Sequence, residues 1–233
     1  MTPLFIIPAR GGSKGIPHKN IKPLGGKPLI VYTLDVARQL AADTRHIIVS
    51  TDDPAIAAVA ESHGVPVPFM RPAELSTDTA GSREVILHAM DMADAAGIRY
   101  DMVVLLQPTS PFRVVDDVRR AIAAYSPDID MAVTVMPAKT NPYLNCYEVD
   151  NDGFVHVSKG DGNLRRRQDA PTCWEYNGAV YVINPASIRA RSMGDMTRRV
   201  PVEMDADRSV DLDTPRDWML AEFILSTSQN PHS

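Results

Sequence analysis

Cysteine is scarce in this chain. Cys146 and Cys173 are the two among 233 residues. Two thiols cannot make a disulfide framework, and no C-x-x-C or Cys/His spacing suggests zinc. Free thiols in a reducing cytoplasm are the expectation. Excess positive charge is also lacking. Lys and Arg total 24 against 29 Asp and Glu, for a net charge of −5. That balance argues against a nucleic-acid binder relying on bulk positive charge. Long apolar runs are missing too: the opening MTPLFIIPARGG carries one far too short for a signal h-region or a membrane span. No internal repeat or low-complexity segment interrupts the chain. With 44% apolar and 23% charged residues, the composition excludes a disordered tail protein. It suits a soluble globular protein built as one large domain, or as a domain plus an arm.

Proline, by contrast, is plentiful. There are 19, and Pro8, Pro17, Pro23, Pro28, Pro108 and Pro111 sit at the ends of apolar runs. They act as punctuation where a strand gives way to a loop. Apolar runs at Leu4–Pro8, His46–Ser50, Met102–Leu106 and Met131–Met136 read as strands, with a weaker one at Val65–Met70. Helical spacing covers Pro28–Leu40, Pro54–His63, Ser82–Ala96 and Asp116–Ala124, with Gly64 and Gly97 as stops. Strand, loop and helix alternate up to about Met136. The alternation predicts an α/β fold with a mostly parallel, Rossmann-like sheet and helices on both faces. Right-handed crossovers then put loops 9–27, 51–53, 71–82 and 107–113 along one crevice at the strands' carboxyl ends.

After Met136 the rhythm changes. Tyr147–Val149 and Phe154–Val157 read as a hairpin across Asn151-Asp152-Gly153. The expected division is a nucleotide-binding core over 1–137, an arm or lid over 138–176, and a return to the core over 177–228. That return comprises strands at Ala179–Ile183 and Val200–Met204, an acidic loop, and a helix from Thr214 to about Ser226. Frayed residues follow.

The most informative stretch is Arg10-Gly11-Gly12-Ser13-Lys14-Gly15-Ile16-Pro17-His18-Lys19-Asn20. It lacks both the G-x-x-x-x-G-K-[ST] P-loop and the G-x-G-x-x-G dinucleotide pattern. Glycines let backbone N–H groups approach phosphate oxygens, and Arg10, Lys14 and Lys19 can spread charge over several phosphates. A solvated basic turn would not require glycines and cations together beside a buried strand. Near the other end, Asp211 and Asp213 alternate, so an extended segment points both carboxylates the same way. Two hard oxygen ligands with room for water suit Mg²⁺, with Mn²⁺ as the alternative. The rival reading is an Asp N-cap for the helix at Thr214-Pro215. Thr214 could serve as that cap itself, leaving both aspartates free. Asp150-x-Asp152-Gly153 imitates part of a calcium loop but lacks the closing Glu, so it reads as a hairpin turn.

ARGGSKGIPHKN followed by GGKPLI resembles the signature of the acylneuraminate cytidylyltransferase (CMP-sialic acid synthetase) family. The likeness continues through Val49-Ser50-Thr51-Asp52-Asp53, Arg71-Pro72-Ala73-Glu74-Leu75 and Leu105-Leu106-Gln107-Pro108-Thr109-Ser110-Pro111. It resumes at Asn177-Gly178-Ala179-Val180-Tyr181 and Val210-Asp211-Leu212-Asp213-Thr214-Pro215. The resemblance implies transfer of CMP from CTP to the anomeric hydroxyl of a 2-keto sugar acid, with release of pyrophosphate. It implies catalytic roles for Arg10, Lys14, Lys19, Asp211 and Asp213, the last two as metal ligands. Ala9, Gly11, Gly12, Ser13, Asn20, Arg71, Ala80, Gly81 and Ser82 would hold the nucleotide. Gln107, Thr109, Ser110 and Tyr181 would meet the sugar acid, with Arg166 or Arg167 binding its carboxylate bidentately. The arm would make a homodimer and supply arginine across subunits. No nucleic acid or membrane is implied as a partner. No histidine stands out as a general base, and His18 reads as a loop residue, so metal-assisted deprotonation of the sugar hydroxyl is the expectation.

Two positions depart from the family pattern. Glu175 replaces an arginine common two residues before Asn177, and Leu144 sits where a lysine is common. Both changes remove positive charge near the sugar, which points to a nonulosonic acid other than N-acetylneuraminic acid, such as legionaminic acid. The alternatives are a synthetase for 3-deoxy-manno-octulosonic acid and a non-catalytic nucleotide-binding regulator on the same scaffold.

Overall fold

A computed structural model describes residues 1–77 and 81–228. Ten strands and six α-helices follow in chain order: β1 (Pro3–Pro8), β2 (Pro23–Leu24), β3 (Lys27–Pro28), α1 (Leu29–Leu40), β4 (Ile47–Ser50), α2 (Pro54–Ser62), α3 (Ser82–Ala95), β5 (Met102–Leu106), α4 (Val115–Ala124), β6 (Met131–Pro137), β7 (Tyr147–Val149), β8 (Val155–Val157), β9 (Trp174–Ile183), α5 (Pro185–Ala190), β10 (Arg199–Glu203) and α6 (Pro215–Ser228). Six strands form one sheet in the order β10-β6-β9-β5-β1-β4. β1 runs parallel to β4 and β5, and β10 parallel to β6. β9 runs antiparallel between β5 and β6. The sheet is therefore mostly parallel, as the alternation of elements predicts.

The central strands β1 and β5 are apolar almost without interruption because both faces are covered. Phe5 and Ile7 of β1, with Met102, Val104 and Leu106 of β5, face a core containing Ile30 and Leu34 of α1, Ile56 of α2 and Val118 of α4. Leu4, Ile6, Val103 and Leu105 point the other way, onto Ile86 and Met90 of α3 and Ile188 of α5. A third, smaller cluster joins Ile16, Leu24, Leu29, Leu212, Trp218 and Ala221. Its members come from the basic loop, the short β2–β3 ribbon, α1, the acidic segment and α6.

Several elements differ from expectation. Val65–Met70 forms no strand. Pro66 and Pro68 have no N–H to give a ladder, and the segment instead leads to Arg71, whose N–H donates to the Thr51 carbonyl at 2.7 Å. The strand expected from Ala179 begins earlier, at Trp174, and carries a bulge opposite Val133–Val135. The β2–β3 ribbon and α5 escaped the sequence reading because their runs are too short for a period. The hairpin expected at 147–157 is present as β7–β8, a two-stranded sheet separate from the central one. α6 continues through Ser228, beyond the expected stop. Among the described residues, no helix is long and apolar enough to cross a membrane.

Candidate active site

β1, β4 and β5 lie side by side, and the chain passes from β1 to β4 on one flank and then to β5 on the other. Their carboxyl ends thus open a crevice at a switch point of the sheet. The loop after β1 is fixed at both ends. The Ala9 N–H donates to the Ser50 carbonyl at 2.9 Å and the Gly11 N–H to Asp52 Oδ1 at 3.0 Å. Asn20 Nδ2 donates to the Arg10 carbonyl at 2.9 Å, folding the loop back on its start. His18 ends the loop in a left-handed conformation, φ 50°, a backbone role in keeping with its reading as a loop residue.

This loop meets the acidic segment directly. A β-carbon on Gly15 would collide with the Asp213 carbonyl oxygen, so only glycine allows the approach. Lys19 is buried and donates through Nζ to the Leu212 carbonyl at 2.6 Å and to Asp213 Oδ1 at 3.0 Å. Ile16 and Leu212 share the third apolar cluster. Leu212 is buried in that cluster, while its neighbours are less so, Asp211 half-buried and Asp213 exposed, the pattern expected of alternation in an extended segment.

Beside this junction lies a cleft of ≈ 310 Å³ lined by Arg10, Ser13, Lys19, Asn20, Arg71, Ser82, Gln107 and Thr109, among others. Gly12 and Lys14 line an adjoining recess that shares Arg10, Ser13 and Thr77 with the cleft. Ten of the residues singled out in the sequence thus gather in one place. Arg71 is not the surface ion pair that a lone arginine usually makes. It is buried, with Nε donating to Ser50 Oγ at 2.9 Å and Nη2 to the Ser50 carbonyl. Burial pulls its pKa down, Asp52 raises it and Arg10 lowers it further. Gly81 precedes the first residue of α3, Ser82. Ala80 lies outside the described residues. Ser110 is fully buried, its hydroxyl without a hydrogen-bond partner. Tyr181 is buried in β9 and packs edge-on against Tyr176, ring centroids 6.1 Å apart.

Asp211 Oδ1 is buried and has no hydrogen-bond partner. Burial raises the pKa of this carboxyl, opposed by the Thr109 side chain; Asp213 pushes it up further and Lys19 pulls it back. The helix cap is made by Thr214, not by the aspartates: Asp217 N–H donates to Thr214 Oγ1 at 3.3 Å, and Thr214 N–H returns to Asp217 Oδ2 at 2.7 Å. That reciprocal pair leaves both carboxylates off the helix end. Among the described residues no group of three His, Cys, Asp or Glu could enclose a metal ion. An orphaned buried carboxylate oxygen beside a second, exposed carboxylate suits a hard divalent ion that keeps water and phosphate as its other ligands.

Arg166 and Arg167 are not brought to the cleft within one chain. Arg166 pairs with Asp169 at 2.7 Å on the exposed arm, and Arg167 donates to the Lys139 carbonyl at 3.4 Å. Glu175 is exposed in β9, opposite Met136. Two features went unread in the sequence. One is the β9 bulge: Thr134 Oγ1 donates to Asn177 Oδ1 at 2.7 Å, Asn177 Nδ2 donates to Ser209 Oγ at 2.9 Å, and Gly178 turns with φ 74° toward Asp211 and Gln107. The Asn-Gly dipeptide inside an apolar run is the signal for it. The other is Arg113, buried beneath the site, for which a lone arginine after Pro111-Phe112 gives no signal.

The profile of the cytidylyltransferase family matches residues 4–173. CMP-N,N'-diacetyllegionaminic acid synthase of Legionella pneumophila is 32% identical over 227 residues, 97% of each chain. N-acylneuraminate cytidylyltransferase of Escherichia coli is 32% identical over 94% of this chain and 51% of its own length. In fold, the chain resembles CMP:2-keto-3-deoxy-manno-octonic acid synthetase complexed with CTP, with a TM-score of 0.70, 18% identity, and 98% and 100% of the two chains covered. The chain belongs to the cytidylyltransferase family.

Proposed function

We propose that this protein transfers CMP from CTP to the anomeric hydroxyl of a sialic-acid-like nonulosonic acid. The sugar oxygen attacks the α-phosphorus, the bond from that phosphorus to the β-phosphate oxygen breaks, pyrophosphate leaves with that electron pair, and the hydroxyl proton passes to solvent. A triphosphate gains charge on its leaving group, so fixed cations and in-line positioning carry most of the rate. Arg10 and Lys14 meet the phosphates, with the N–H groups of Gly12 and Ser13 free to approach. Lys19 acts partly as a strut, since it already grips the Leu212 carbonyl and Asp213. Ser82 and Arg71 lie on the nucleotide side of the cleft, and Gln107 and Thr109 on the sugar side. The observation that carries the reading is the direct contact of the glycine–cation loop with the Asp211–Asp213 segment at the cleft.

Asp211 and Asp213 would hold Mg²⁺ or Mn²⁺, which supplies neutralisation of phosphate charge and acidifies a bound hydroxyl. Within the chain, Asp211 offers the ion an oxygen that nothing else satisfies. The arm over 138–176 is proposed as the homodimer contact. Val149, Phe154 and Val155 are all exposed there, an apolar patch of the kind that marks interfaces. Such a dimer would let Arg166 or Arg167 reach a sugar carboxylate across the subunit boundary.

For the acceptor, loss of positive charge at Leu144 and Glu175, together with the legionaminic relative, favours a diacetamido nonulosonic acid over N-acetylneuraminic acid. Pyrophosphate release should be assayed with CTP, Mg²⁺ and each of N,N'-diacetyllegionaminic, N-acetylneuraminic and 3-deoxy-manno-octulosonic acids. The diacetamido acid should be turned over with the highest kcat/KM. Release only with the octulosonic acid, or CTP binding with no release at all, contradicts the proposal.

A further inference from the structure

Arg113 is 3% exposed, a charged side chain inside the protein. Taking a guanidinium out of water is costly unless its hydrogens find fixed acceptors. Three acceptors come from three separate elements. Nη1 donates to the Gln107 carbonyl at 2.7 Å and to the Ala179 carbonyl at 2.9 Å, and Nη2 donates to Thr33 Oγ1 of α1. The two carbonyls on Nη1 are informative. One belongs to the turn that presents the Gln107 side chain to the cleft. The other closes the bulge of Asn177–Gly178, where a β-carbon built on Gly178 would lie 3.6 Å from both Gln107 Oε1 and Asp211 Oδ2. The β5–β9 ladder ends at Leu106–Val180, and this single nitrogen carries the tie one step further, from the ladder's end to the Gln107 turn and the bulge. Burial pulls the arginine's pKa down to about 9, against the carboxylates of Asp117 and Asp211, which raise it.

We propose that Arg113 is a positioning residue that holds the Gln107 turn against the β9 bulge and so fixes the sugar-acid side of the cleft. This rests on Gln107 meeting the acceptor sugar, as proposed above. Arg113→Lys keeps a positive charge beside Asp211 and alters the fork that reaches the Gln107 and Ala179 carbonyls, so its effect should fall on the sugar side. The planar fork matters more than the charge, because an ammonium cannot present the same fixed angles.

A kinetic double-mutant cycle of Arg113→Lys and Gln107→Ala tests it, with CTP affinity measured separately by calorimetry. Arg113→Lys should lower sugar-acid kcat/KM by roughly 10²-fold, the scale of a group displaced by about an ångström, while CTP affinity holds within about threefold. In the Gln107→Ala background the same substitution should cost far less, since groups acting through one another are not additive. Thr33→Val, which removes one acceptor and keeps the guanidinium, should move sugar-acid kcat/KM in the same direction by less, and it reports on the proposal even if the lysine variant fails to fold. Unchanged sugar kinetics in Arg113→Lys or Thr33→Val, an undiminished cost in the Gln107→Ala background, or an equal loss of CTP affinity overturns the role. If Gln107→Ala alone leaves sugar kinetics unchanged, the sugar-side reading of that wall fails and the role of Arg113 fails with it. A normal response to Gln107→Ala with an additive cycle overturns Arg113 alone.

Discussion

Asp213 and Asp211 differ at the residue scale although they alternate on one strand. Asp213 is well exposed and pairs with Lys19, whereas Asp211 is half-buried with one oxygen unmatched. Asp213→Asn should therefore abolish measurable turnover while leaving the melting temperature within a few degrees of the parent, because the asparagine amide oxygen can still accept from the buried Lys19 Nζ, which also keeps the Leu212 carbonyl. Calorimetry beside the pyrophosphate assay checks both halves, and normal turnover in that variant removes Asp213 from the metal site. Asp211 carries the pH dependence. Its carboxyl titrates above the ordinary range because burial and Asp213 disfavour its charge. The ionised form is the ligand, so activity should fall as pH drops through that raised value. A divalent ion competes with the proton, so raising Mg²⁺ should move the acid limb of kcat/KM to lower pH. A limb that ignores Mg²⁺ assigns it to another group. Arg10→Ala should cut turnover by roughly two to three orders of magnitude, the loss of one strong transition-state donor.

Among the elements, the small cluster around Ile16, Leu212 and Trp218 decides whether the cations and carboxylates meet. It welds the basic loop to the segment before α6. Leu212→Ala should cost about 2–5 kcal/mol, as a buried leucine does, and should lower CTP affinity through the loosened loop. A variant equally destabilised but with intact CTP binding separates packing from function. Much of this was legible beforehand. Buried strands such as Met102–Leu106 announce themselves as unbroken apolar runs, and the glycine–cation loop carries its chemistry in its composition. The β9 bulge and Arg113 were not legible, because their meaning lies in partners 40 to 70 positions away: Thr134 for Asn177 and Ala179 for Arg113. Val65–Met70 misled because a short apolar stretch looks like a strand until the prolines' missing donors are counted.

At the scale of the whole molecule, one open sheet supports the cleft and the arm stands apart from it as its own small ribbon. Sedimentation should find a dimer. Phe154→Ser with Val149→Ser should shift it toward monomer and weaken sugar-acid kinetics more than CTP affinity, if arm arginines act across subunits. A monomeric parent would leave Arg166 and Arg167 without a route to the site.

All of this depends on the loop and the acidic segment acting as one binding site for a nucleoside triphosphate with its metal ion. Calorimetric titration of CTP into the parent and into Asp211→Asn, with Mg²⁺ and with chelator, tests that most directly. The parent should bind more tightly with Mg²⁺, and the variant should keep its chelator affinity while losing the gain. A variant that tightens with Mg²⁺ as the parent does would contradict the account.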